Sequence, residues 1–227
     1  MRLGIEDVLS LLSSKTGSLI ITGPNGVGKT LLSIQAADRA LKRGTKCVYA
    51  LTTMAPRTFL DMAKFISVDF SDSLENNSLV LVDCHTRGEE SSPAKFSISP
   101  EASLLQIRQT FLEAAEFSQN YLLVVDDLST LLAYVPSETA FKFYQGVASD
   151  LRRNKATGIS VIVPEILDQK LTNLLYSLSD GVVEMTLEDM GGNLRRFMRI
   201  RFMRGVKHLA EWSEFQIGEH GLEIITY

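Results

Sequence analysis

The sequence predicts an α/β protein with a mainly parallel central sheet, helices on both faces and antiparallel strands at the C-terminal end. Three observations predict it. Short apolar runs alternate with helical periodicities from residue 18 to residue 186, the pattern of a parallel sheet wrapped by crossover helices. After residue 186 the chain reads as strands separated by short turns, which suits hairpins along one sheet edge. Between the first strand and the following helix stands Gly23-Pro24-Asn25-Gly26-Val27-Gly28-Lys29-Thr30, a match to the P-loop pattern G-x-x-x-x-G-K-[ST] in its strand–loop–helix context.

The elements follow in order. Ile5, Val8, Leu9 and Leu12 share one helical face over residues 5–14. Residues 18–22 form the first strand and 29–42 the P-loop helix, closed by Gly44 after two cations. Lys46 to Leu51 is a buried-type strand, and Pro56 opens a helix running to about Ile66. Leu79–Asp83 is a strand. Residues 86–100 are polar with two prolines and form a loop, either a mobile functional segment or a variable surface insertion. Helix 101–118 carries the stripe Leu104, Ile107, Phe111, Ala115, and strand Tyr121–Val125 ends in Asp126-Asp127. Helix 137–153, strand 158–163, helix 166–177 and strand 181–186 complete the alternation, and 194–204, 209–217 and 221–226 are the closing strands. No composition shift marks a boundary, so residues 1–227 are expected to form one nucleotide-binding domain.

The chain has 227 residues, 45% of them hydrophobic, and a net charge of −4. That length supports a large core without disulfides. The charge offers no global attraction for nucleic acid or membrane. Cys47 and Cys84 read as strand thiols rather than a disulfide, and the three histidines show no metal-ligand spacing with cysteine. No apolar run approaches the ~18 residues needed to span a bilayer. Glu6 and Asp7 make the N-terminus an amphipathic helix rather than a signal peptide, so a cytoplasmic location is expected.

The chemistry of the loop follows from its residues. Gly23, Gly26 and Gly28 permit backbone conformations a Cβ would hinder. The backbone of Gly23 to Leu31 then wraps phosphate oxygens at the positive end of a helix, with N–H groups such as those of Asn25 and Val27 donating and Pro24, which has no N–H, shaping the turn. Lys29 reaches the β- and γ-phosphates of a nucleoside triphosphate, ATP being the expected one, and the Thr30 hydroxyl ligates Mg²⁺. A second acidic motif, LLVVDD, ends an apolar strand. Asp126, the first residue after that run, is the expected holder of the Mg²⁺ shell on a strand beside the P-loop strand, with Asp127 a polar exit residue.

Four pieces together resemble the KaiC-like branch of the RecA superfamily: GPNGVGKT, CVYALTTMAPRTFLDMAKF, VVDDLSTLLAY and RFMRGVKH. FQIGEHGLEII resembles the family's last strands. The resemblance runs from about residue 17 to the C-terminus. It implies a RecA-like P-loop fold and homo-oligomeric rings or filaments with ATP between neighbours. Single-domain members are common in archaea, among them the ATP-binding component of the archaellum motor and recombinase paralogues.

This sequence departs from the family pattern in places. The glutamate pair that ends the strand after the P-loop helix, one member of which activates water, falls on Thr53 and Met54. The lysine two residues before the arginine of the M-R-G run is Phe202, and the small hydroxyl residue after the glycine is Val206. Arg204, supported by Lys207 or His208, is the remaining candidate for touching a neighbour's nucleotide in trans, against the alternative of a solvated edge charge. Glu165 falls where the superfamily places a γ-phosphate sensor and is a substitute candidate for the base. A lost base costs ~10²–10⁴ in rate, and a lost cationic finger ~10³–10⁵. The expected function is therefore ATP binding with weak or absent hydrolysis, in an assembly or regulatory module. The alternatives are a DNA-dependent ATPase of recombination or repair and a component of an archaellum-type motor complex.

Residues 195–204, RRFMRIRFMR, alternate so that Met198, Ile200 and Phe202 share one face and Arg199 and Arg201 the other, with only Phe197 as an aromatic beside them. An interface or solvated edge is expected there in preference to a DNA track, which needs aromatic stacking platforms.

Overall fold

The computed structural model describes residues 4–86, 92–99, 102–208 and 210–225. Ten strands form a single sheet in the order β10-β9-β8-β7-β1-β6-β5-β2-β3-β4. Its parallel part comprises β1 (Gly17–Thr22), β2 (Cys47–Leu51), β3 (Leu79–Asp83), β4 (Phe96–Ser97), β5 (Leu122–Asp126), β6 (Thr157–Ile162) and β7 (Gly181–Met190). β8 (Asn193–Met203), β9 (Ser213–Gly218) and β10 (Gly221–Ile224) add to the β7 edge antiparallel to one another. Strands β1, β2, β3, β5 and β6 are buried at every position, as expected of a sheet covered on both faces.

Two apolar layers sandwich the sheet. One side packs α1 (Ile5–Ser14), α2 (Lys29–Lys42) and α3 (Pro56–Phe65) against Leu19, Ile21, Tyr49 and Leu51. The other packs α5 (Leu104–Ala114), α7 (Ser137–Arg153) and α8 (Gln169–Leu178) against Ile20, Val48, Val125 and Val182. Each strand feeds both layers because successive side chains alternate.

The expected order of elements is present, with short additions. α4 (Ser71–Glu75), α6 (Leu128–Leu132) and a 3₁₀ turn (Pro164–Ile166) are too short to show a period. β4 lies within the segment expected to be loop, of which residues 87–91 and 100 fall outside the described residues. Helix α5, Leu104–Ala114, is shorter at both ends than the expected 101–118, and Ser103 caps its start through Gln106. The strand expected at 209–217 starts at Ser213.

Two expectations need correction. β5 is not beside β1, since β6 lies between them. Strand order is a long-range property that a terminal aspartate does not report. The alternation in β8 also breaks, because the register shifts between Val182 and Val183. Met198 and Ile200 stay in the layer under α2, whereas Phe202 turns to the opposite layer and Met203 takes its place. A bulge inserts one residue and reverses the faces beyond it.

Candidate nucleotide site

The site stands at the C-terminal ends of the parallel strands, where crossovers leave a crevice. β1 ends at Thr22, and the loop from Gly23 to Gly28 climbs to α2. Gly23 and Gly28 adopt φ values of 154° and 113°. A Cβ on Gly23 would lie 2.3 Å from the Met185 carbonyl oxygen of β7, so the close approach of loop to strand requires glycine. The Val27 side chain is fully buried and Leu31 nearly so. These two residues offer their backbone rather than their side chains.

Lys29 Nζ donates to the carbonyls of Gly23 and Pro24, both at 2.8 Å. The ammonium thus sits within the curl of the loop. Burial pulls its pKa down, and the carboxylates of Asp127, Asp126 and Glu165 oppose that shift.

Asp126 is buried beneath the loop. Helix α2 passes over β6 and β5, which carries Thr30 to it across the intervening strand, and the two side chains share a hydrogen bond. Tyr49 Oη donates to Asp126 Oδ2 at 3.0 Å and lies 2.6 Å from Ser33 Oγ on α2. Burial raises the Asp126 pKa to about 6, and the bonds from Thr30 and Tyr49 hold it back. A buried carboxylate beside a hydroxyl is a donor set suited to Mg²⁺, which commonly takes one or two carboxylates and completes its shell with phosphate and water. Among the described residues there is no group of three or more metal-capable His, Cys, Asp or Glu side chains. Thr30 and Asp126 would therefore hold the ion together with a bound phosphate.

Asp127 has a definite task that the sequence did not reveal. Its carboxylate caps α6 through the Ser129 and Thr130 amides. Its backbone is clamped to Thr52, whose hydroxyl donates to Asp127 O at 2.7 Å and accepts from Asp127 N at 2.6 Å. Strand ends β2 and β5 are thereby locked beside the site.

Thr53 is exposed and Met54 half-buried at the rim after β2. Among the described residues, two neighbouring acids are engaged. Asp83 accepts from the His85 and Thr86 amides and from the Thr86 hydroxyl. Glu184, paired in register with Thr22, accepts from Arg199 at 2.8 Å and Arg201 at 3.4 Å. Glu165 is exposed on the 3₁₀ turn after β6, near enough to act on Lys29 electrostatically.

The basic strand is more aromatic than its sequence suggested. Arg199 lies over Trp212 at 4.3 Å and Arg201 over Tyr176 at 5.4 Å. Tyr176 Oη in turn meets Thr22 Oγ1 at 2.9 Å. These partners come from α8 and from the stretch before β9, far away in the chain. The arginines are also paired, Arg195 with Glu214, while Arg199 and Arg201 share the single carboxylate of Glu184.

Arg204 is remote from its own loop. It follows β8 at the level of Gly181, near the N-terminal end of β1, whereas the P-loop leaves the other end. Its guanidinium donates to Ser177 O at 2.7 Å and lies 3.8 Å from Asp180. Lys207 is exposed, and His208 Nδ1 lies 3.1 Å from Val206 O.

A mainly parallel sheet, a glycine loop running from β1 into α2, and a buried acid two strands away define a RecA-like P-loop protein. A family model described as "ATPase: KaiC" matches residues 8–227, and the chain belongs to that family. Circadian clock protein KaiC2 of Synechocystis is 24% identical over 215 residues, covering 92% of this chain and 35% of that protein. The chain thus spans about a third of the length of the clock relatives it matches. A UPF0273 protein of Aeropyrum pernix is of similar size, 24% identical over 230 residues, covering 99% of this chain and 90% of that protein. Among solved structures, a KaiC-like protein of Pyrococcus horikoshii superposes with a TM-score of 0.75 at 17% identity, covering 93% of this chain and 90% of that one. That likeness concerns the fold.

Proposed function

We propose that this protein binds ATP with Mg²⁺ in the loop Gly23–Leu31 and uses the bound nucleotide to assemble or to signal, hydrolysing it slowly or not at all. The observation that carries the reading is the rim after β2. Thr53 and Met54 stand where the resemblance calls for carboxylates, and Asp83, Asp127 and Glu184 are committed to other bonds. Lys29, Thr30 and Asp126 supply what binding needs. Bound nucleotide brings phosphate charge and Mg²⁺ to the site. The chain's own residues hold these groups, but the described acids at the rim, Asp83, Asp127 and Glu184, are engaged elsewhere and are not free to take a proton from water. Among the described residues, Glu165 is the remaining candidate for that task.

A steady-state ATPase assay with a Lys29→Ala control tests the reading. Wild-type turnover is expected well below about 1 per second, and turnover at or above that value contradicts it. Lys29→Ala is expected to abolish ATP binding in a calorimetric titration. The ion pairs of Arg195, Arg199 and Arg201 weigh against a DNA-dependent ATPase, because paired arginines release few counterions from a phosphate backbone.

A further inference from the structure

A cavity of about 390 Å³ opens along the second half of α2, whereas the glycine loop lies at the start of that helix. Four segments converge on it: α1, the second half of α2, the chain just after α3, and the β9–β10 turn at His220. Its floor is partly apolar, through Leu9, Ile66 and Val68. Its wall carries Arg39, Lys42 and Arg43 against Glu6 and Asp38. Arg39 pairs with Glu6, and Lys42 with Asp38 at 2.7 Å. Arg43 is left as the surplus cation, touching the Ser13 hydroxyl at 3.3 Å.

The cavity is wired to the nucleotide loop. Gln35, on its wall, donates to His220 O at 3.0 Å and accepts from Leu222 N at 2.9 Å. Leu222 and Ile217 of that same hairpin are two of the three side chains that a Cβ on Gly28 would meet, at 3.9 and 3.5 Å, the third being Met185 of β7. One glutamine therefore joins the cavity, the terminal hairpin and the glycine at the mouth of α2.

We propose that this cavity is a regulatory site for a small organic anion, of one or two negative charges on an apolar body, whose binding alters nucleotide affinity through Gln35 and the β9–β10 hairpin. The volume lies within the range of small-molecule sites. The surplus positive charge selects the sign, and the apolar floor selects a body beyond bare phosphate. The coupling rests on the nucleotide-binding reading above, whereas the anion site does not. The alternative for the three cations is that they merely complement the negative end of α2.

The probe is anilinonaphthalene sulfonate, an anion with an apolar fluorescent body, titrated into the full chain at low salt. Saturable binding is expected. It should weaken about tenfold in the Lys42→Gln/Arg43→Gln variant, two exposed changes that leave the fold intact, and stay unchanged in Lys29→Ala. Equal affinity in the double variant, or loss in Lys29→Ala, overturns the site. With the probe saturating, the Kd for ATP should shift about fivefold or more, with the reciprocal shift in probe affinity that linkage requires, and Gln35→Ala should remove the shift. An unchanged ATP Kd overturns the coupling. A chain that binds the probe but not ATP sinks the nucleotide reading and leaves the anion site standing.

Discussion

Tyr49 shows how much one hydroxyl can hold. It is fully buried in β2 and bridges Ser33 on the P-loop helix to Asp126 on β5. Tyr49→Phe keeps the ring packing against Phe59 but leaves a buried hydroxyl and a buried carboxylate short of a partner. We expect a loss of about 1–3 kcal/mol in denaturant unfolding, together with weaker Mg²⁺ dependence of ATP binding. Unaltered values of both would show that the bridge is idle.

Asp126 yields a pH prediction whose sign follows from burial. Its pKa rises from 3.8 to about 6 in the fold. Between those values the folded chain keeps a proton that the unfolded chain releases, so this group's contribution is fullest below about pH 4 and is lost as pH climbs through 6. The charged form costs on the order of 3 kcal/mol at neutral pH. Asp126→Asn should therefore gain thermal stability relative to wild type as pH goes from 5 to about 7.5. Mg²⁺ needs the charged form, so its binding should run the opposite way and weaken below about pH 6. A Tm difference that stays flat with pH contradicts the assignment.

At the scale of elements, the loop is held by its neighbours as much as by its glycines. Gly23→Ala would drive a methyl group into the β7 backbone at Met185. The strand cannot move aside, because β8 pairs along its length. The loop must shift instead, at a cost of roughly 1–3 kcal/mol. ATP affinity should fall about tenfold or more by calorimetry while far-ultraviolet circular dichroism stays native.

Sequence legibility divides at the same scale. The P-loop, α2 and the strands buried throughout were legible because their signals are local: a spaced motif, a helical stripe, an apolar run. The place of β6 between β1 and β5, the bulge at Val183 and the cap made by Asp127 were not. Each depends on a partner strand or on a helix too short to show a period. The stacking of Arg199 on Trp212 and Arg201 on Tyr176 was missed for the same reason, since both aromatics come from outside the strand.

At the scale of the whole molecule, Arg204 and the loop lie at opposite ends of the sheet. An arginine so placed cannot serve its own nucleotide, but a neighbour stacked on that end could receive it. It would first have to leave Ser177 and Asp180. If it acts in trans, Arg204→Ala should abolish ATP-dependent assembly in sedimentation velocity while ATP binding by the single chain stays within about twofold of wild type. Full assembly by the variant would leave Arg204 a cap on the C-terminal end of α8.

Eight consecutive residues, Gly23 to Thr30, were enough to read the chemistry of phosphate binding, because backbone freedom and one ammonium act over a single turn of chain. The same reading exposed Thr53 and Met54 as non-carboxylates, since residue identity needs no fold. Only the tertiary structure brought Asp126 to Thr30 across an intervening strand and put Tyr49 between two elements. It also occupied Asp83, Asp127 and Glu184 and carried Arg204 away from the loop. Those facts rest on contacts between residues far apart in the chain, which sheet order, twist and burial create and no local pattern encodes.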